Sequence, residues 1–262
     1  MYIDFHTHGK LAKKLPFSTE YTAWLMREAH RAGLDAICLT EHFNTLQFQE
    51  MYGYLMQVCR RDGDTLVTRD GLRIFTGMET DIAEGGHILS IGNPEDILEL
   101  NKRLENHKEK DNFLPYEKLM DLFEEYPVLV GAAHPYREGG NIPKLPQVQL
   151  KRLHFLDLNG KDVAKNRNYY EILTDTLAKE LEIPMVGGSD THQSVQYGCI
   201  RTNFQKDVKK VAALYEMMQS RNYTVEISSH AASKVNTAGI MKKALKEIHA
   251  LGGDYVAILT NS

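Results

Sequence analysis

Cysteine is scarce in this sequence of 262 residues, which contains only Cys38, Cys59 and Cys199. They are odd in number, widely separated and part of no paired motif, so neither a disulfide framework nor a Cys-rich zinc site is indicated. The first residues, MYIDFHTH, also lack the basic region and the apolar stretch of a secretory signal. We therefore expect a reduced protein in the cytoplasm.

The sequence has no excess of basic residues and no long apolar run. Its 31 Lys and Arg residues stand against 35 Asp and Glu residues, which gives a formal net charge of -4 and no basic footprint for a nucleic-acid backbone. The longest apolar runs, such as residues 128–133, fall far short of the ~18 residues that a membrane span needs. We expect neither nucleic acid nor a membrane as a partner.

Common nucleophile and nucleotide-binding motifs are missing as well. The sequence contains no G-x-S-x-G, no Walker A motif and no Gly-rich dinucleotide fingerprint. It does contain eleven histidines, the one unusual feature of its composition. A chain of this length buries roughly 70–75% of its unfolded surface, so its core needs no metal for stability. A metal bound here would therefore serve function.

Short apolar runs alternate with amphipathic helical stretches, a pattern typical of βα units around a mostly parallel sheet. The runs with strand character cover residues 2–5, 34–39, 73–78, 88–91, 128–132, 155–158 and 185–188. Seven strands with helices between most of them favour a closed (β/α) barrel, slightly smaller than the eight-unit barrel of about 250 residues. An open doubly wound sheet is the alternative.

One connection is too short for a crossover helix. Only seven residues separate Glu79 from His87, whereas a parallel crossover needs about a dozen. We expect a hairpin there, which returns the chain from the same end of the barrel. Beyond the barrel of residues 1–203, residues 204–262 contain further helical stretches. We expect this helical C-terminal segment to complete or cap the barrel within a single domain.

Imidazole and carboxylate side chains stand where the predicted strands end. His6 and His8 close the first strand, and residues i and i+2 of an extended chain point the same way, so both can meet one ion. Comparable positions at later strands are held by Glu41, His42, Glu79, His87, His134, Asp190 and His192. Each alone could be an ordinary polar loop residue, but barrel enzymes build their active sites at this face. The set therefore predicts a metal site.

The motifs HTH, TEH, GME, GH, AHP and GSDTH, in this order, resemble those of the PHP (polymerase and histidinol phosphatase) family. The resemblance runs over roughly residues 1–203. It implies a distorted (β/α)7 TIM-like barrel that carries two or three divalent ions and hydrolyses phosphoesters.

The resemblance also implies which residues hold each ion. The first ion would be held by His6, His8, Glu79 and Asp190. The second would share Glu79 and add His87 and His134. The third would use His42 and His192. Lys13 and Lys14 stand where the family normally supplies a further His or Asp to the third ion, so we expect that ion to be bound weakly or not at all.

The predicted ligands also indicate the metal and the chemistry. Nitrogen and carboxylate ligands without thiolate suit Zn²⁺, Mn²⁺ or Fe²⁺. A glutamate shared by two ions leaves a bridging hydroxide, which is the expected nucleophile. We expect Glu79, Asp190 and His192 to be the catalytic residues. Arg137 and Arg201 are predicted to bind substrate phosphate, because guanidinium donates two parallel hydrogen bonds; a solvated surface arginine is the alternative for each.

The predicted function is hydrolysis of a small phosphomonoester. Histidinol phosphate is one candidate because TEH looks like that branch, although GHILSIG and AHPYR look equally like the generic phosphoesterase branch. An amidohydrolase or TatD-like hydrolase, which also opens with H-x-H, remains an alternative, as does a non-catalytic metal-binding regulatory module. The adjacent Glu41 and His42, together with Asp190-x-His192, favour the phosphoesterase.

Overall fold

The computed structural model describes residues 1–260 of the chain. Eleven strands form one sheet in the part of the chain that is described. In chain order they are β1 (Tyr2–Thr7), β2 (Ala36–His42), β3 (Arg60–Asp62), β4 (Thr65–Val67), β5 (Arg73–Asp81), β6 (His87–Gly92), β7 (Leu129–Ala133), β8 (Phe155–Asn159), β9 (Met185–Gly188), β10 (Ile200–Phe204) and β11 (Tyr223–Ile227).

Helices connect most of these strands and surround the sheet. Within residues 1–260 they are α1 (Thr19–Arg31), α2 (Phe48–Val58), α3 (Pro94–Arg103), α4 (Tyr116–Phe123), α5 (Gln147–Leu150), α6 (Gly160–Leu181), α7 (Val211–Gln219), α8 (Ala231–Ala250) and α9 (Tyr255–Thr260). The first of them begins as its sequence predicts, because Oγ of Ser18 accepts a hydrogen bond from the backbone N–H of Tyr21. None of the described helices is both long enough and apolar enough to cross a membrane.

The sheet curves into a nearly closed barrel of seven strands, in the order β1, β2, β5, β6, β7, β8 and β9. Its two ends meet after β9, where the backbone N–H of Asp190 donates to the carbonyl of His6 at 2.7 Å. The N–H of His8 donates to Thr191 across the same seam at 3.0 Å. All seven predicted strands are present, so the mixed α/β, distorted TIM-like barrel is confirmed.

One strand of the barrel runs against its neighbours. β6 pairs antiparallel with both β5 and β7, whereas the pairs β1–β2, β2–β5, β7–β8 and β8–β9 are parallel. The hairpin predicted between Glu79 and His87 is therefore present. It brings the start of β6 to the barrel end at which the parallel strands finish.

The C-terminal segment contributes strands as well as helices. β10 pairs antiparallel with β1 and with β11, so the sheet continues beyond the barrel. The boundary predicted after residue 203 falls inside β10 and stays a prediction. β3 and β4 form a small hairpin beside β5 that the sequence did not indicate, because three-residue strands show too little alternation to recognise.

Apolar side chains fill the lower part of the barrel and leave its mouth to polar residues. Phe5, Phe75 and Phe155 are fully buried in one apolar cluster inside the barrel. A larger cluster packs the helices against the outside of the sheet and includes Leu25, Ile37 and other buried residues. The polar side chains at the mouth are therefore set on a rigid, well-packed base.

Candidate metal centre

A bulge near the end of β1 aims histidine into the barrel. The register of β1 against β2 shifts after Asp4, so β1 carries one extra residue there. Phe5 packs against Phe155 of β8, while the next residue, His6, contacts Asp157 on the same strand. Successive residues of β1 thus face the barrel interior, which regular strand alternation does not allow.

Glu79, at the end of β5, occupies the middle of the cluster and is 2% exposed. Its two carboxylate oxygens lie within 3.6 Å of nitrogens from five imidazoles, those of His6, His8, His42, His87 and His134. The shortest of these distances, 2.7 Å, joins Oε1 to Nδ1 of His87. One carboxylate therefore faces ring nitrogens on two sides, which is the arrangement that a shared ligand needs.

Asp190 faces the same histidines from the loop after β9. Its Oδ1 lies 3.2 Å from Nε2 of His8 and 2.7 Å from Nζ of Lys161. Its Oδ2 accepts a hydrogen bond from Nη1 of Arg137 at 2.7 Å. Burial opposes charge on this carboxylate, but the neighbouring cations Lys161 and Arg137 hold the pKa of Asp190 well below its usual range. The side chain is thus an anion at neutral pH.

Two residues of the cluster have backbone conformations that are rare for side chains other than glycine. His134 has φ 32° and Asp190 has φ 56°, both in the left-handed region. Such conformations typically cost about 1–3 kcal/mol and persist where surrounding structure enforces them. The closing hydrogen bond from Asp190 to His6 enforces one of them. Strain of this kind concentrates at functional sites.

The residues present fit divalent metal ions. Several buried ligand atoms have no hydrogen-bond partner in the described residues, among them Nε2 of His6, Nδ1 and Nε2 of His8, and Oε2 of Glu79. Unpartnered polar atoms of this kind are costly to bury, and a bound cation would satisfy them. Side-chain ligand atoms lie within 4.8 Å of one another in the groups His6–His8–Glu79, His6–His134–Asp190, Glu79–His87–His134 and His8–His42–His192.

The candidate ligands differ in how strongly a proton competes with a metal ion for them. Burial disfavours a proton on His6, but the carboxylates of Glu79 and Asp157 raise its pKa to about 10. Burial lowers the pKa of His134 to about 3, with a further contribution from the charge of Arg137. His134 is therefore ready to coordinate, whereas a cation must displace a proton from His6. Metal binding here releases protons.

Hydrogen bonds to the ring nitrogens that face away from the cluster orient two of the candidate ligands. Nδ1 of His6 lies 2.9 Å from Oδ2 of Asp157, which directs Nε2 of the ring toward Glu79. His192 is fixed in the same way by the backbone carbonyl of Lys10, 2.8 Å from its Nδ1. Asp157 did not emerge from the sequence, although its position in the segment LDLN at the end of a strand resembles that of the other site residues.

The structure brings all eight predicted metal ligands together at the carboxyl end of the barrel. They are His6, His8, His42, Glu79, His87, His134, Asp190 and His192. Lys13 also lies at this end, with Nζ 3.9 Å from Asp81, whose Oδ1 is 3.1 Å from His87. The group of His8, His42 and His192 contains three imidazoles and no carboxylate.

The two predicted phosphate-binding arginines are placed differently. Arg137 lies at the cluster, where its guanidinium also contacts Asp162 and Asn159. Arg201 lies at the opposite end of β1, over the ring of Tyr2 at 3.7 Å, and pairs with Glu226. Because β10 runs antiparallel to β1, the chain leaves the site before it reaches Arg201. This placement corrects the prediction that Arg201 binds substrate phosphate.

A comparison with models of known sequence families supports the resemblance that the motifs indicate. The sequence model of a family described as PHP-associated matches residues 173–223, from α6 to the start of β11. The matched segment includes GSDTH, the last of the motifs that resemble the PHP family, and supports the resemblance there. No curated protein matches the chain.

Solved structures share the fold. PsfC from Pseudomonas syringae PB-5123 matches with a TM-score of 0.74 at 22% identity, over 93% of this chain and 98% of that chain. The lesion-specific endonuclease Q from Pyrococcus furiosus matches with a TM-score of 0.62 at 17% identity, over 86% of this chain and 58% of that chain. An amidohydrolase from Chromobacterium violaceum matches with a TM-score of 0.50 at 12% identity, over 85% and 97%.

Proposed function

We propose that this chain, related through its motifs to the PHP family of metal-dependent hydrolases, removes phosphate from a small phosphomonoester. The observation that carries the proposal is the position of Glu79, whose carboxylate lies within 3.6 Å of five imidazoles at the mouth of the barrel. A buried carboxylate shared between two sets of nitrogen ligands suits a pair of divalent ions.

The ligand groups would suit two ions, with Glu79 available to both. His6, His8 and Asp190 would hold one ion, and His87 and His134 would hold the other. Zn²⁺, Mn²⁺ and Fe²⁺ all suit this mixture of imidazole and carboxylate. When bound, such ions polarise phosphoryl oxygens and make water a nucleophile at neutral pH.

The protein's own side chains supply position and charge. Asp157 holds the ring of His6 in one orientation through the 2.9 Å contact to Nδ1. Arg137 is engaged by Asp190, Asp162 and Asn159, so it keeps Asp190 in place and adds positive charge beside the reacting phosphate. His192 donates from Nδ1 to the backbone carbonyl of Lys10, and burial holds the pKa of its ring well below the ordinary value. Its Nε2 is therefore free to bind a metal ion beside the substrate.

Two further activities compete with this proposal because related folds carry them. One neighbour is an amidohydrolase, and endonuclease Q acts on a DNA duplex with an abasic lesion. The net charge of -4, with no excess of Lys and Arg over Asp and Glu in the sequence, favours a small substrate over DNA. Histidinol phosphate remains one candidate substrate. The three cysteines are unpaired, which supports a reducing compartment such as the cytoplasm.

The test is hydrolysis by the chain reconstituted with Mn²⁺ or Zn²⁺. An aryl phosphate monoester, histidinol phosphate and a panel of phosphorylated metabolites are compared with an aryl phosphodiester, an amide and a lactone. We expect turnover of monoesters and competitive inhibition by phosphate. Turnover of only the amide or lactone, without inhibition by millimolar phosphate, would assign the barrel to the amidohydrolases.

A matched pair of variants controls for contaminating phosphatase. Glu79→Gln removes the shared ligand and should lower both metal content and turnover. Glu41→Gln changes a buried carboxylate that accepts from the backbone of Gly9 and lies 3.7 Å from His8. We expect a smaller effect from that variant. Equal activity of Glu79→Gln and the unmodified chain would exclude the shared-ligand assignment.

A further inference from the structure

A pocket of about 710 Å³ adjoins the metal centre between α6 and α8. Its walls carry four lysines, Lys161, Lys165, Lys242 and Lys243, which we call the lysine pocket. Pockets that bind small molecules typically have volumes of about 300–1,000 Å³. His192, one of the candidate metal ligands, lines the same pocket. A molecule bound there would therefore reach the metal centre.

The charge in the lysine pocket is of one sign. Among the described residues, no Asp or Glu lines it. Of the four lysines only Lys161 forms an ion pair within residues 1–260, through the 2.7 Å contact of its Nζ with Asp190. The whole chain carries a net charge of -4, so this concentration of positive charge runs against the average of the surface. It marks the pocket as a place for an anion.

The arrangement costs stability in the absence of an anion. Lys161 and Lys165 are one helical turn apart on α6, where like charges repel. Lys242 faces them from α8. Burial and the charge of Lys161 lower the pKa of Lys242 to about 8. An anion placed among these groups would relieve the repulsion.

The remaining wall of the pocket is apolar or neutral. Val235, Ala238 and Ile240 of α8 and Ala164 of α6 contribute carbon surface. Gln193 and Gln196 add neutral polar groups on the side of the metal centre. Such a wall accommodates a carbon skeleton between two charged ends.

We infer that the lysine pocket binds a second anionic group of the substrate, a phosphate or a carboxylate, while the reacting phosphate lies at the metal centre. This inference rests on the proposed phosphoesterase function and narrows its substrate to small molecules with two anionic ends. Lys161 marks the border between the two positions, because it contacts Asp190 and also lines the pocket.

A homologous series of synthetic phosphates tests the inference. Alkanediol bisphosphates with chains of three to six carbons are compared with ω-carboxyalkyl phosphates and ω-hydroxyalkyl phosphates of equal length. We expect kcat/KM for the best doubly charged compound to exceed that for the hydroxyl compound by about tenfold or more, as one charged hydrogen bond contributes. Whether the bisphosphate or the carboxyalkyl phosphate has the higher kcat/KM shows which anion the pocket prefers. Equal kcat/KM values for all three classes of compound would overturn the inference.

Two variants assign the preference to the pocket. Lys242→Ala should reduce severalfold the ratio of kcat/KM for the doubly charged substrate to kcat/KM for the hydroxyl compound. Lys246 lies on the same helix but is exposed and lines no part of the pocket. In Lys246→Ala the ratio of the two kcat/KM values should therefore stay within about twofold of that in the unmodified chain. An unchanged ratio in Lys242→Ala would overturn the inference even if both variants hydrolyse phosphomonoesters.

A binding measurement separates failure of the pocket from failure of the enzyme. Calorimetry of the Mn²⁺-loaded chain compares butane-1,4-bisphosphonate with butylphosphonate, neither of which can be hydrolysed. Tighter binding of the bisphosphonate that depends on Lys242 supports the pocket even when no ester is turned over, in which case only the proposed function fails. Binding of a single-stranded oligonucleotide that depends on Lys242 and outcompetes the bisphosphonate would instead assign the lysines to nucleic acid.

Discussion

The imidazole of His6 is held between two carboxylates, with Nδ1 at 2.9 Å from Asp157 and Nε2 at 3.5 Å from Glu79. Asp157 accepts a hydrogen bond from the N–H of Nδ1, so Nε2 is the nitrogen that gives up its proton to a cation at the centre of the cluster. The candidate metal ligand His6 and Asp157, which orients it, are 151 positions apart in the chain. Only closure of the barrel brings them together.

The first prediction concerns this orienting contact. Asp157→Asn removes the negative charge behind His6 and should weaken metal binding by about 10–100-fold, the usual loss for such partners. Asp4→Asn is the matched control, since Asp4 is equally buried but accepts from the backbone N–H groups of Ser189 and His6. Metal affinity measured by chelator competition should fall in Asp157→Asn more than in Asp4→Asn. Similar affinities in both variants would remove the orienting role.

The second prediction concerns stoichiometry. The group of His8, His42 and His192 contains three nitrogens, but His8 also belongs to the group with His6 and Glu79. Lys13, which lies at this end of the barrel, pairs with Asp81 at 3.9 Å. We expect two tightly held ions and a third that is lost first on dialysis against a chelator. Elemental analysis that finds three ions per chain with equal resistance to chelator would contradict this expectation.

Much of the site could be predicted because its residues recur at one position of the fold. His6, His8, Glu79, His134 and Asp190 all stand at strand ends, and in a barrel those ends meet wherever the strands are parallel. The connection after Glu79 is too short for a crossover helix, so the next strand must run in the opposite direction. The start of that strand, His87, could therefore be placed at the same end of the barrel.

Other features depend on contacts that no local pattern encodes. Asp157 is a lone carboxylate in a buried strand, and only its distance to His6 gives it a role. Arg201 follows Asp190 closely in the sequence but lies far from it in space, because β10 carries the chain away from the site. The lysine pocket combines residues of α6 and α8, whose packing follows from the C-terminal segment.

The third prediction concerns the pH dependence of stability away from the metal centre. Nδ1 of His154 accepts a hydrogen bond from the backbone N–H of Val130 at 2.9 Å, and burial lowers the pKa of this ring below its ordinary value. The unfolded chain takes up a proton at His154 near pH 6.5 while the folded chain resists it. The contribution of His154 to stability is therefore present above about pH 6.5 and is lost as the pH falls through the folded pKa.

Urea unfolding at about pH 7.5 and about pH 5.5 measures this contribution. The free energy of unfolding should fall less between the two values in His154→Gln than in the unmodified chain. His30→Gln changes an exposed histidine and should leave the difference as it was. The metal centre titrates alike in all three chains and cancels from the comparison. An equal fall in His154→Gln and in the unmodified chain would contradict the assignment.

The last prediction uses the two arginines to separate phosphoester hydrolysis from hydrolysis of a neutral bond. A phosphoryl group carries negative charge that repels an incoming nucleophile unless nearby cations offset it. Arg137 lies at the cluster and holds Asp190, whereas Arg201 lies at the far end of β1. We expect Arg137→Ala to lower kcat/KM for a phosphomonoester by roughly 1.5–3 kcal/mol of transition-state stabilisation, about 10–100-fold.

Arg201→Ala serves as the control for that measurement, because it removes a similar side chain without touching the site. Its kcat/KM should stay within about twofold of the unmodified chain, even if loss of the pair with Glu226 lowers stability. Vanadate, which mimics the transition state of phosphoryl transfer, should bind less tightly to Arg137→Ala than to Arg201→Ala. If both variants hydrolyse phosphomonoesters and bind vanadate equally well, Arg137 does not act on the phosphoryl group and the phosphate would have to be neutralised by the metal ions alone.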